Sequence, residues 1–323
     1  MTLALTLGLA AALIAVLMPR LLLRPLATTA PRSMVALWLG SIAAFFLLAV
    51  SAVVVAAWPR HAPGESLTDV WIRCLSSAQH TMRPWVTEII ISVAVAVASY
   101  IAVRVAVVSS RHRRSRLQLL DYHHDIVTVL ARTGQQDGPY PILWLDHPLP
   151  FAYSIAGNPG FVVATEGLKK CLTSSEAQAV LDHERAHLNG RHHRILAVCE
   201  VLACALPFVP LMTQAPTAIA ALVELDADQT AATASGAAVL RSALSRVIEQ
   251  QQSTITPGPS QGCATHRAHT TTDRRLRTLG APLAPHPTAL TYTAYAVMPA
   301  AIAATAAVAT MAALSALFCT IVS

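Results

Sequence analysis

From Ser33 to Pro59 the chain carries no charged side chain at all. A lipid core offers no water to unpaired backbone groups, so an apolar run of this length is constrained to a helix. The pattern recurs. Met1 to Pro19 is uncharged, the stretch from Glu88 to about Val108 is interrupted only by Arg104, and Thr291 to Val322 is apolar again. Charged residues make up 12% of the chain, and hydrophobic ones 54%. Soluble domains carry about 25% charged residues, so a single soluble globule is excluded, as are disordered, collagen-like and disulfide-scaffold chains. The first run has no basic stretch ahead of it and reads as an uncleaved anchor rather than a signal peptide.

Basic residues orient the spans. Arg20, Arg24 and Arg32 follow the first run, and Arg111, Arg113, Arg114 and Arg116 follow the third. This places those two connections inside and the N-terminus outside a cell membrane. The same clustering accounts for the net charge of +6 without nucleic-acid binding. The expected organisation is a three-span region at 1–108, a cytoplasmic domain at 109–290 and a C-terminal transmembrane helix at 291–323. The six cysteines show no C-x-x-C spacing, and Cys199 and Cys204 read as small buried hydrophobes.

Most of the charge falls in the cytoplasmic part, where chemistry is to be sought. Asp121 to Ala131 reads as helix. Ile142–Leu145 and Phe161–Thr165 read as strands, with Gly157–Gly160 as a hairpin-like turn. Thr173-Ser174-Ser175-Glu176 is a capping box, and the helix it opens runs through Ala177 to Leu188. Inside that helix lies His183-Glu184-Arg185-Ala186-His187. Histidines four apart share one helix face and can reach a single ion at about 2.0–2.1 Å. Glu184 projects beside them, placed to take a proton from an attacking water. By composition the motif is expected about 0.01 times by chance.

A catalytic zinc needs a third protein ligand and one open position. Glu224 is the leading candidate, with Asp226, Asp228, Glu200, His192 and His193 as alternatives. Asp228, one turn beyond Glu224, can support a ligand histidine through a hydrogen bond. The apolar run 195–223 must then be a buried or re-entrant segment. A single crossing would put Glu224 some 30 Å from His183. Glu200 and the prolines at 207, 210 and 216 also oppose one spanning helix.

From Phe151 to about Leu279 the chain resembles the BlaR/MecR-type membrane metallopeptidases, and more distantly the HtpX and CAAX prenyl-protease group. The resemblance rests on Pro150-Phe151-Ala152-Tyr153, Thr165-Glu166-Gly167-Leu168, Ser175-Glu176-Ala177, the H-E-x-x-H, Glu224-x-x-Ala227-Asp228 and Arg274-Arg275-Leu276. It implies Glu224 as third ligand, and a protease that cleaves itself or a BlaI/MecI-like repressor. The antibiotic-sensing members carry a penicillin-binding domain after the last span. This chain has no S-x-x-K motif, so direct β-lactam acylation is not expected. The HtpX-like alternative is quality control of membrane proteins, although those relatives usually place two spans between the motif and the third ligand. A non-enzymatic membrane receptor retaining a zinc fold is the alternative from another class.

Weaker features have plainer readings. His123, His124 and Asp125 fit a solvated juxtamembrane helix. His266 and His269 lie in a polar loop, Gln250 to Thr272, with self-cleavage as its second reading. Arg274 is a candidate for contacting substrate or an oxyanion, and Phe161–Thr165 a candidate edge strand for an extended substrate. The expected fold is mainly α: an integral membrane protein with about four transmembrane helices and a zincin-like metallopeptidase domain containing a few short strands. It would hold one catalytic Zn2+ on His183, His187 and Glu224, with Glu184 as base.

Overall fold

The computed structural model describes residues 2–23, 30–57, 84–133, 139–157, 160–254, 275–280, 288, 290–302 and 304. Helices α1 (Thr2–Leu22) and α2 (Pro31–Ala57) pack side by side. Both are long and apolar enough to cross a membrane. The third apolar run lies in α3 (Pro84–Leu130), 47 residues of unbroken helix, or about 70 Å. Its apolar part exposes Val93, Val97 and Val103. The fourth run begins in the apolar helix Leu290–Ile302, and residues 305–323 lie outside the described residues. Where the sequence predicts four spans, two helices of spanning length stand among the described residues, and the expected boundary at 108 falls inside α3. Gly40 of α2 meets the backbone of Ala296 with no room for a Cβ. A small residue there lets the two helix backbones approach.

Past α3 the chain forms a four-stranded sheet: β1 (Ala131–Thr133), β2 (Ile142–Leu145), β3 (Ala152–Ile155) and β4 (Phe161–Thr165). The spatial order is β1-β2-β4-β3, with β2 and β4 parallel and the outer pairs antiparallel. Two sequence expectations need correction here. The turn near Gly157–Gly160 joins β3 to β4, not β2 to β4, and Phe161–Thr165 is an interior strand. The edges are β1 and β3, and the four residues of β3 (one of them Ser154) lack the β-branched run that marks β4.

After a short helix α4 (Glu166–Cys171) comes α5 (Ser174–Asn189), opened by the capping box the sequence predicts. Thr173 Oγ1 accepts from the Glu176 amide, and the Glu176 carboxylate accepts from the Thr173 amide at 2.9 Å. Glu176 also accepts from Ser242 Oγ at 2.6 Å, tying the start of α5 to α8 (Ala237–Thr254). Leu181 and Leu188, seven apart, face the sheet core with Ile142, Val162 and Ala164. His183 and His187, four apart, lie on the opposite face of the same helix.

The long apolar run becomes two helices, α6 (His192–Ala205) and α7 (Pro210–Ser235), joined by a tight turn. Pro207 stops the first, and Pro210 sits in the first turn of the second, where its missing N–H costs nothing. The hairpin shares one apolar core with the N-terminal helices: Trp38, Ala44 and Leu48 of α2 meet Cys199, Leu206, Leu211, Met212 and Ile219. Cys199 is buried as expected, but Cys204 is exposed, because it lies on the outer side of α6. Along α6, Arg104 Nη2 of α3 donates to the Cys204 carbonyl, and His112 pairs with Glu200 at 3.5 Å.

The capping box yields a stability prediction. Thr173→Ala removes one cap bond and should cost about 1 kcal/mol, read as a lower melting temperature with unchanged metal content. An unchanged melting temperature would mean that α5 does not depend on its cap.

Candidate metal centre

The antiparallel hairpin carries Glu224 back to the histidine face of α5. Glu224 lies nearly four turns into α7, about 20 Å from the hairpin turn. There its carboxylate stands 3.6 Å (Oε2) from His183 Nε2 and 3.5 Å (Oε1) from His187 Nε2. The two Nε2 atoms are 3.2 Å apart. Four ligands arranged tetrahedrally at 2.0–2.1 Å from zinc stand about 3.3 Å from one another. The donor set and its spacing therefore fit a zinc ion. It is the one group of His, Cys, Asp and Glu side chains among the described residues with metal-ligand spacing.

The far side of each imidazole is also held. His183 Nδ1 lies 3.0 Å from Asp228 Oδ1, one turn beyond Glu224. His187 Nδ1 lies 3.0 Å from His192 Nδ1. Both histidines thus turn Nε2 toward the shared centre. Arg275 closes one side: Nε and Nη2 each reach Asp228 at 2.7 Å, and Nη1 reaches Glu224 at 3.2 Å. A two-pronged guanidinium–carboxylate pair of this kind fixes orientation as well as charge.

These neighbours set the protonation of the free side chains. Burial works against charge on His183, but Asp228 and Glu224 outweigh it and raise the imidazole to about 9. Burial and the adjacent His183 lower His187 to about 3. Burial would raise Glu224, yet His183 and Arg275 hold it at about 2. Glu184 moves the other way: burial raises its carboxyl, only partly opposed by His183 and a hydrogen bond from Ser154. A carboxyl lifted in this way is suited to exchanging protons.

A cavity of about 340 Å³ opens beside these groups. Phe151 and the adjoining Ala152 to Ser154 of β3 line one side, and Leu240, Leu244 and Val247 of α8 line another. Ser154 Oγ also lies 3.1 Å from His193 Nε2.

Of the residues singled out from sequence, His183, Glu184, His187, Glu224 and Asp228 converge here. The other ligand candidates are not part of the ligand triangle, although His193 lines the same cavity. Glu200 pairs with His112, Asp226 and His192 pair with each other behind His187, and His193 meets Ser154. Arg274 lies outside the described residues, as do the polar loop from residue 255 to 272 and the side chains of His123, His124 and Asp125. Among the described residues the arginine in the site is Arg275, the neighbour of Arg274 in the Arg274-Arg275-Leu276 segment. The role of His192 behind His187 was invisible, because His192 reads from sequence only as a rival ligand.

The model for peptidase family M48 matches residues 121–288, more than half of the chain and the whole of the site. Two curated relatives carry the name protease HtpX homolog. One, from Moorella thermoacetica, is 34% identical over 89 residues, covering 27% of this chain and 29% of the relative. The other, from Pelotomaculum thermopropionicum, is 30% identical over 118 residues, covering 36% and 41%. The matched part thus spans less than half the length of either relative. Because the family model's match covers more than half of its residues, including the H-E-x-x-H helix and its returning glutamate, the chain belongs to peptidase family M48, a family of metal-dependent proteases.

Proposed function

We propose that this protein is a membrane-embedded zinc endopeptidase with its active site at the cytoplasmic face and its N-terminus outside. The observation that carries the reading is the triangle of His183 Nε2, His187 Nε2 and a Glu224 oxygen at 3.2–3.6 Å. Zinc held by these three residues would act as a Lewis acid and lower the pKa of a water to about 7. Glu184 takes the proton of the attacking water and passes it to the departing amine. Asp228 keeps the first histidine oriented, and Arg275 keeps Asp228 and Glu224 ionised and in place. Both act through the ligands. β3 stands at an edge of the sheet, and an extended substrate can add to such an edge as a further strand. Leu240, Leu244 and Val247 favour an apolar side chain beside the scissile bond.

Two substrate classes follow from different observations. The similarity to HtpX homologues favours quality-control cleavage of membrane proteins. Three apolar runs before the site and one after it favour the signalling reading, in which the protein cleaves itself or a BlaI/MecI-like repressor. Co-expression separates them: a repressor cut at a discrete bond supports signalling, and turnover of an unfolded membrane protein supports quality control.

Two outcomes test the chemistry. Glu184→Gln should retain the metal and lower turnover of a peptide substrate by about 10²–10⁴-fold. Undiminished turnover would remove Glu184 from its role. The raised His183 also gives metal binding a pH dependence, because its proton must leave before Nε2 can bind a cation. Between pH 6 and 8, below the value of about 9, apparent zinc affinity should fall about tenfold per unit of acidification. Chelator competition, corrected for the chelator's own titration, reads this slope, and a flat profile would contradict a protonated His183.

A further inference from the structure

Behind His187 a second set of buried polar groups leads away from the site. His192 is 4% exposed and Asp226 1%, and neither is needed for the ligand triangle. The His187 and His192 rings meet edge to face, with Nδ1 atoms 3.0 Å apart. His192 Nε2 lies 3.2 Å from Asp226 Oδ2, and Asp226 Oδ1 lies 2.8 Å from Arg32 Nε. Arg32 is in the first turn of α2, one of the two helices of membrane-spanning length. Arg32, His192 and Asp226 also border a second cavity of about 420 Å³, which Tyr292 and Thr293 of the last apolar helix help to line.

The backbone is shaped for this placement. Arg191 has φ +52°, the sole non-glycine residue with positive φ among the described residues. Such a conformation costs roughly 1–2 kcal/mol and persists where the surroundings impose it. Gly190 packs against the His192 ring, and any Cβ there would collide with the ring itself. The break between α5 and α6 therefore folds His192 back onto His187.

Proton positions follow in one direction. With His187 Nε2 turned to the metal centre, its neutral ring carries the hydrogen on Nδ1 and donates it to His192 Nδ1. His192 then carries its own hydrogen on Nε2 and donates to Asp226. The acceptor at the end of the chain is a carboxylate anchored by the Arg32 guanidinium.

We propose that His192, Asp226 and Arg32 form a positioning relay that orients His187 from the foot of α2, so that the seating of α2 tunes metal affinity. The proposal rests on the zinc-site reading above. The partners behind a metal-ligating histidine typically change metal affinity 10–100-fold. This relay differs in ending on a helix of the membrane region rather than within the peptidase domain.

The test uses the full chain in detergent, with Co2+ as a spectroscopic probe and zinc affinity from chelator competition. Asp226→Asn and Arg32→Gln should each weaken zinc affinity about tenfold and shift the visible absorption of the Co2+ form. The double variant should be no weaker than Asp226→Asn alone, because both act on one path. Arg32→Lys, which keeps the charge, should restore affinity to within about threefold. Lys169→Ala, which breaks the exposed Lys169–Glu166 pair, should change nothing. Arg32 is partly exposed, so Arg32→Gln decides the matter even where Asp226→Asn fails to fold. Wild-type affinity and an unshifted Co2+ spectrum in folded Arg32→Gln would overturn the relay. A wild-type chain that binds neither Co2+ nor zinc would instead overturn the zinc-site reading.

Discussion

Glu224 reaches the histidines of α5 because α6 and α7 fold back on each other within the 36 residues between His187 and Glu224. Nearly everything functional depends on that hairpin. Its outer half is stabilised by apolar contact with α1 and α2, and its inner half carries the acidic face that meets α5. That shared core joins the helices of membrane-spanning length to the segment that carries Glu224.

The inner half concentrates charge where water is scarce. Asp226 and Asp228 are both nearly inaccessible, and a buried carboxylate without a partner costs several kcal/mol. Each has a guanidinium: Arg32 for Asp226 and Arg275 for Asp228. The two aspartates sit two apart on α7, so they point to different sides and serve different histidines. Asp228 backs His183 and Asp226 backs His192. Alternate acidic positions on one helix thus orient both ligand imidazoles from opposite sides, with Glu224 between them.

The H-E-x-x-H helix was the most legible part of the chain. Its start lies in the Thr173–Glu176 box, its motif in two histidines four apart, and its end near Gly190, all local signals. The place of Glu224 was legible only jointly with the path of residues 195–223, since spacing alone could not exclude Asp226, Asp228 or the histidines at 192 and 193. The sheet was half visible. β2 and β4 are rich in branched and aromatic residues, whereas β1 (Ala131–Thr133) and β3 (Ala152–Ile155) carry no such run. The pairings of Arg275 with Asp228 and of Asp226 with Arg32 were not legible, because 47 and 194 residues separate the partners and no periodicity records such contacts. The membrane reading was plain at α1 and α2, while the third run proved to be part of a much longer helix.

X-ray absorption at the zinc edge, on the full chain in detergent, tests the central claim most directly. The account predicts one zinc per chain with nitrogen and oxygen neighbours at about 2.0–2.1 Å, two of them imidazoles, and one imidazole fewer in His187→Ala. A spectrum with sulfur neighbours at about 2.3 Å, or an imidazole count unchanged in His187→Ala, would contradict it.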